Sequence, residues 1–226
     1  MNSLDGFRMA LTLYIGNKNY SSWSLRPWLA MKAANIPFEE VLIPIYAGAD
    51  DKQRILDVSP AGKVPVLTDG DVVVWDSIAI IEYLAEKFPQ AKLWPQDPAS
   101  RAHARAISAE MHGGFGGLRR ECGMNIHRPV GAKVLSDEAK ENIARVQAIW
   151  ADCRQRYGKA GPFLFGAFSA ADAMYAPVVH RFRTYAIEVS PPVKEYMGSM
   201  LKHPAFAEWT AQALAETLRI ERFEAD

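Results

Sequence analysis

The sequence predicts a chain of two unlike domains, an α/β layer followed by an all-helical domain, and three observations carry that expectation. Up to Phe88, short apolar runs bounded by turn residues interleave with stretches of helical periodicity. Beyond it no convincing strand recurs, and the long segments read as helices. Between the two, Phe88-Pro89, Trp94-Pro95 and Asp97-Pro98 crowd prolines into a stiff connector rather than an element. The expected boundaries are 9–90 for the first domain and 99–226 for the second.

Taken in order, Ala10 to Ile15 alternates like a short buried strand. The turn Tyr20-Ser21-Ser22-Trp23-Ser24-Leu25-Arg26-Pro27-Trp28 follows and runs into a helix through Ala34. A proline forfeits no internal hydrogen bond within the first helical turn, so Pro27 makes Ser24 the neatest N-cap and leaves Ser21 and Ser22 ahead of the helix. Phe38 to Ile45 is a second strand and Asp51 to Asp57 a short helical piece. Lys63 to Thr68 and Val72 to Trp75, joined by Asp69-Gly70-Asp71, form a hairpin. Ser77 to Phe88 is a helix with Ser77 as its cap. In the second domain, Arg101–Asn125, Ser136–Tyr157, Ser169–Ala186, Val193–Leu201 and Pro204–Leu218 read as helices.

The chain has 226 residues, 49% of them hydrophobic and 23% charged, which is ordinary for a globular protein of one large or two modest domains. Lys plus Arg equals Asp plus Glu at 26 each, so no global field recruits nucleic acid or an anionic membrane. No apolar run approaches the roughly 20 residues that span a bilayer. Met1 to Arg8 lacks a hydrophobic core and reads as a loose tail, with Met9 as an alternative start, rather than as a secretory signal. Cys122 and Cys153 lie far apart, which points to a reduced, cytoplasmic protein. The five histidines form no cluster at ligand spacing, so no metal site is expected.

Four stretches carry candidate chemistry. The serines after the first strand sit where free N–H groups and a helix N-terminus favour an anion, though capping alone also accounts for them. Val64-Pro65 opens a strand with a residue that gives no ladder bond. That marks either a plain strand start or a cis bond turning the Val64 backbone outward to an extended ligand. Asp76-Ser77 offers an acceptor for ammonium beside a donor for carboxylate, or simply a cap with a solvated acid. Met111 to Arg120 holds four glycines inside a helical stretch, which suggests a close backbone approach, a bend or an open pocket floor. No strand precedes that run, so it is not a dinucleotide fingerprint.

As an ordered set on these two domains, the motifs resemble the glutathione S-transferase family from Leu11 to about Leu218. Ser21-Ser22-Trp23-Ser24-Leu25-Arg26 is similar to the Ser-Ser-Cys-Ser-x-Arg motif of zeta-class members, with Trp23 where that class has cysteine. The resemblance implies a thioredoxin-like first domain with a cis proline at Pro65, and a homodimer. It implies that glutathione binds as co-substrate to Ser22, Trp23, Lys63, Val64, Pro65, Asp76 and Ser77, with Ser21 activating the thiol. It also implies that Met111, Phe115, Arg119 and Cys122 face the first domain and form the electrophile pocket. Ser169-Ala170-Ala171-Asp172 resembles the family's buried capping box, a structural feature.

The expected reaction is attack of the glutathione thiolate on an apolar electrophile, with detoxification as its use. Lowering a thiol pKa from about 8.5 by about 2 units requires roughly 2.7 kcal/mol. A hydroxyl donating to the anion supplies about 1.5–3 kcal/mol and a helix end about 0.3–1 kcal/mol, so no cationic side chain is required. Two alternatives fit the resemblance: a glutathione-dependent cis–trans isomerase of the maleylacetoacetate type, and a non-catalytic binding or regulatory protein of the same fold.

Overall fold

A computed structural model describes residues 11–46 and 48–224; the expected leading tail, Met1 to Arg8, and Met9 lie outside them. The first part is β1 (Thr12–Ile15), α1 (Ser22–Ala33), β2 (Glu39–Leu42), α2 (Ala49–Val58), β3 (Val66–Asp69), β4 (Val72–Trp75) and α3 (Ser77–Lys87). The sheet order is β2-β1-β3-β4, with β1 parallel to β2 and both β3 and β4 antiparallel to their neighbours. Leu13 and Ile15 of β1 and Leu67 of β3 are fully buried, as alternation on a central pair of strands requires. The outer strand β4 leaves Val72, Val73 and Trp75 exposed.

The second part is helical: α4 (Pro98–Gly113), α5 (Gly116–Glu121), α6 (Asp137–Tyr157), α7 (Ala170–Thr184), α8 (Pro191–Lys202), α9 (Pro204–Ala215) and the short α10 (Glu221–Glu224). The stretch expected as one helix over Arg101–Asn125 is two. Phe115 takes a left-handed φ of +63° between α4 and α5, which an α-helix does not tolerate. Part of the glycine run serves close packing. A Cβ on Gly117 would lie 2.9 Å from Ala139 N and 3.0 Å from Glu138 C, so α5 meets the start of α6 backbone to backbone.

Helix α7 is buried along nearly its whole length. Its N-terminus carries the expected capping box: the Asp172 carboxylate accepts from Ser169 N at 2.8 Å, Ser169 Oγ at 2.9 Å and Leu164 N at 3.0 Å. Helix α1 packs against α7, α3 and α9, which is why Leu25, Trp28, Leu29 and Met31 are all fully buried on one short helix. Arg26 Nε donates to Met174 O at 3.1 Å, and Trp28 meets Trp209 of α9 edge-on at 5.1 Å.

Candidate active site

The turn between β1 and α1 is fixed first by Gly16. A Cβ there would meet Ile45 Cγ2 at 3.0 Å, Val64 Cγ2 at 3.2 Å and Ser21 Cβ at 3.3 Å. Without a side chain at Gly16, the strand end, the residue before Pro65 and the entry to α1 converge. Ser21, not Ser24, is the N-cap: its Oγ accepts from Ser24 N at 3.3 Å. Ser24 Oγ accepts the Gly16 N–H at 3.1 Å and the Ser21 hydroxyl at 2.7 Å. These bonds start the helix a turn earlier than Pro27 alone indicates, and the proline is carried inside it. A hydroxyl both donates and accepts. Reversing the Ser21–Ser24 pair therefore frees the Ser21 proton for a group in front of it.

What lies in front is a cleft of about 1110 Å³ between the sheet end and the helical part. Ser21, Ser22, Trp23, Lys63, Val64, Pro65, Asp76 and Ser77 all line it. The Val64-Pro65 bond is cis, and among the described residues no hydrogen bond engages the Val64 backbone. Asp76 rather than Ser77 caps α3, its Oδ1 accepting from Ile78 N at 3.1 Å. Asp76 holds φ at +72°, a costly conformation for a residue with a side chain and one that recurs at ligand sites. Displaced from the cap, Ser77 Oγ is buried with no protein partner. A buried hydroxyl left unpaired costs about 1–3 kcal/mol unless something else satisfies it.

The helical part supplies the opposite wall. His112 Nε2 lies 3.3 Å from Asp76 Oδ2, and its ring meets Trp23 edge-on at 5.2 Å. Burial, with Arg26 and Arg119 nearby, outweighs Asp76 and pulls the imidazole below its ordinary range, so at neutral pH it is an uncharged partner of Asp76. The guanidinium groups of Arg26 and Arg119 lie 4.3 and 4.9 Å from the Trp23 ring. Tyr20, Tyr46 and Phe223 of α10 close one side of the cleft; Phe223 packs 5.5 Å from Tyr20 and 5.6 Å from Tyr46.

The N-terminal domain model of glutathione S-transferases matches residues 20–87 of this chain, and the C-terminal domain model of the same family matches residues 136–212. The chain belongs to the glutathione S-transferase family. A probable maleylacetoacetate isomerase of Caenorhabditis elegans is 29% identical over 197 residues, 86% of this chain and 90% of the relative. A stringent starvation protein A homolog of Pasteurella multocida is 24% identical over 228 residues, 98% of this chain and all of the relative. The crystal structure of a glutathione transferase homolog from Burkholderia GL BGR1 with bound glutathione superposes with a TM-score of 0.68 at 22% identity, covering 91% and 99% of the two chains. That likeness shows a shared fold.

In this glutathione S-transferase family member the expected electrophile pocket is redrawn. Of the residues expected there, only Arg119 lines the cleft. Met111, Phe115 and Cys122 are buried in the core. Burial pushes the Cys122 thiol up to about 11, which removes it as a nucleophile at neutral pH. On the capped helix Arg181 and Arg183 read from sequence as contacts to an acidic substrate, as solvated surface or as a subunit contact; the structure separates them, with Arg181 buried against the cleft and Arg183 exposed. The apolar face of α7 was the available signal, since Arg181 lies three residues after Val178 on a helix with almost no outward side.

Proposed function

We propose that the protein is a cytoplasmic glutathione transferase that ionises the glutathione thiol beside Ser21 and directs it at an electrophile held against the helical wall. One observation carries the reading: Ser21, the unengaged Val64 backbone and the unpartnered Ser77 hydroxyl all open on one cleft. Those groups match, in kind and order, what a γ-glutamyl-cysteinyl ligand needs: a donor for the carboxylate, a backbone edge for the extended peptide and a donor for the sulfur. The arginines around Trp23 add a positive field that favours the thiolate further. The use we propose is detoxifying conjugation. Two buried free cysteines, Cys122 and Cys153, support a reducing compartment.

Asp76 and Ser77 are assigned to the ammonium and carboxylate of one amino-acid group. Changing both to alanine is expected to raise KM for glutathione with a smaller change in kcat, as when binding common to ground and transition states is lost. Calorimetry checks this directly, and unaltered glutathione affinity in the double variant would misplace the head-group site. The exposed Val72 and Val73 of β4 support a two-fold dimer. Sedimentation at micromolar concentration is expected to give about twice the chain mass of 25.1 kDa, and a clean monomer would sink the assignment.

A further inference from the structure

Helix α7 carries Arg181 into the cleft wall at 4% exposure, with Nε and Nη1 bonded to nothing in the protein. Arg119 lines the same wall; its guanidinium is held in place by the carbonyls of Gly114, at 2.9 Å, and Met111. Behind them Arg26 is wholly buried, with Nη1 and Nη2 also unpartnered. Among the described residues no carboxylate forms an ion pair with any of the three. Among the described residues Asp76 is the one carboxylate that acts on the group, and it acts on Arg26; the other acidic groups nearby are Tyr175, Cys122 and Tyr185. Burial and the neighbouring Arg119 push Arg181 down to about 10, and burial lowers Arg119 and, more strongly, Arg26 as well.

A buried guanidinium with free N–H groups and no counter-ion is unfavourable, and the planar fork of arginine matches a carboxylate in two parallel bonds. In the reading given above glutathione feels the field of this wall but makes no bond to its guanidinium groups. Its γ-glutamyl carboxylate goes to Ser77 and the start of α3, and Lys52 and Lys63 line the cleft on the side of the sheet. We infer that the second substrate carries a carboxylate, and that Arg181 with Arg119 binds it on the helical wall of the cleft. The electrophile is then an organic acid whose apolar body lies against Trp23 and Met124. This inference rests on the transferase reading.

The test compares two conjugates that differ in one charge, S-(carboxybenzyl)glutathione and S-benzylglutathione, titrated calorimetrically into the full chain. The carboxylate conjugate is expected to bind roughly 10- to 100-fold more tightly. That preference should vanish in Arg181→Gln and survive in large part in Arg181→Lys. The Gln variant removes an unpaired buried cation, so its melting temperature is expected to hold or rise. Were it to misfold, Arg119→Gln provides the same comparison. Equal binding of the two conjugates to the wild type, or equal weakening of both by Arg181→Gln, overturns the carboxylate site and leaves the transferase reading standing. Failure of glutathione and both conjugates to bind overturns the transferase reading, and the site with it.

Discussion

Ser21→Ala is expected to raise the pKa of bound glutathione's thiol by roughly 1–2 units, the worth of one hydroxyl bond to a charged acceptor. Turnover near neutral pH should fall by about one to two orders of magnitude and recover in part as pH climbs through the new pKa. The hydroxyl has a second duty, because Ser21 also caps α1, and removing a cap costs about 1 kcal/mol of stability. Ser21→Gly separates the two: glycine keeps most of the capping free energy but has no hydroxyl, so it should reproduce the thiol shift with little loss of stability. Ser22→Ala is the control. Its hydroxyl lines the cleft and makes no hydrogen bond among the described residues, so it is the nearest competitor for the sulfur. The thiolate absorbance of bound glutathione against pH decides between them; a shift in Ser22→Ala without one in Ser21→Ala would move the role by one residue. Tyr20 is a poor third choice, since its hydroxyl already donates to Glu224 and burial and that carboxylate raise its pKa.

Asp172→Ala is expected to cost about 3 kcal/mol at neutral pH, because it leaves the buried N–H groups of Leu164 and Ser169 without acceptors. For a chain of this length that lowers the melting temperature by roughly 10 °C, with little change in glutathione affinity. The pH dependence has a definite sign. Burial outweighs the hydrogen bonds and raises the Asp172 carboxyl to about 6, above its ordinary 3.8. The folded protein therefore binds this proton more readily than the unfolded chain, and the group's contribution to stability grows as pH falls through 6. Denaturant melts should show the gap between wild type and variant widening by about 1 kcal/mol from pH 7 to pH 5. A gap that is constant or narrows on acidification would mean that the carboxylate stays ionised in the core.

The fold was legible because its signals are local. Alternation in β1, the turn at Asp69-Gly70-Asp71 and the capping box at Ser169 each depend on a few adjacent residues. The first-domain wall of the cleft was legible for the same reason, since its groups lie at element ends that turn chemistry marks. Cap positions slipped by three residues at α1 and by one at α3. In each case a tertiary or conformational preference that spacing does not encode decided the cap: Gly16 N bonding to Ser24, and a strained φ at Asp76. The helical wall was hardest to read. Whether Arg181 faces solvent or cleft depends on how α7 is rotated against α1, and Met111 and Cys122 turn inward for an equally non-local reason.

The β1–α1 turn is fastened mainly from elsewhere. Lys18 N and Asn19 N both donate to Glu216, at 2.6 and 3.0 Å, Trp209 Nε1 donates to Lys18 O, and the side chains of Asn19 and Asn125 are bonded at 3.1 Å. A ribosome making this chain completes the sheet and α3 long before it reaches residues 209–216. Until those arrive, the loop preceding Ser21 keeps water as its partner and is not held in one geometry, and the nascent first domain has an unfinished mouth. Recombining this first domain with a helical partner from a distant relative would therefore preserve the strands yet leave the sulfur's cradle loose, unless the acceptor at 216 and the indole at 209 travelled with it.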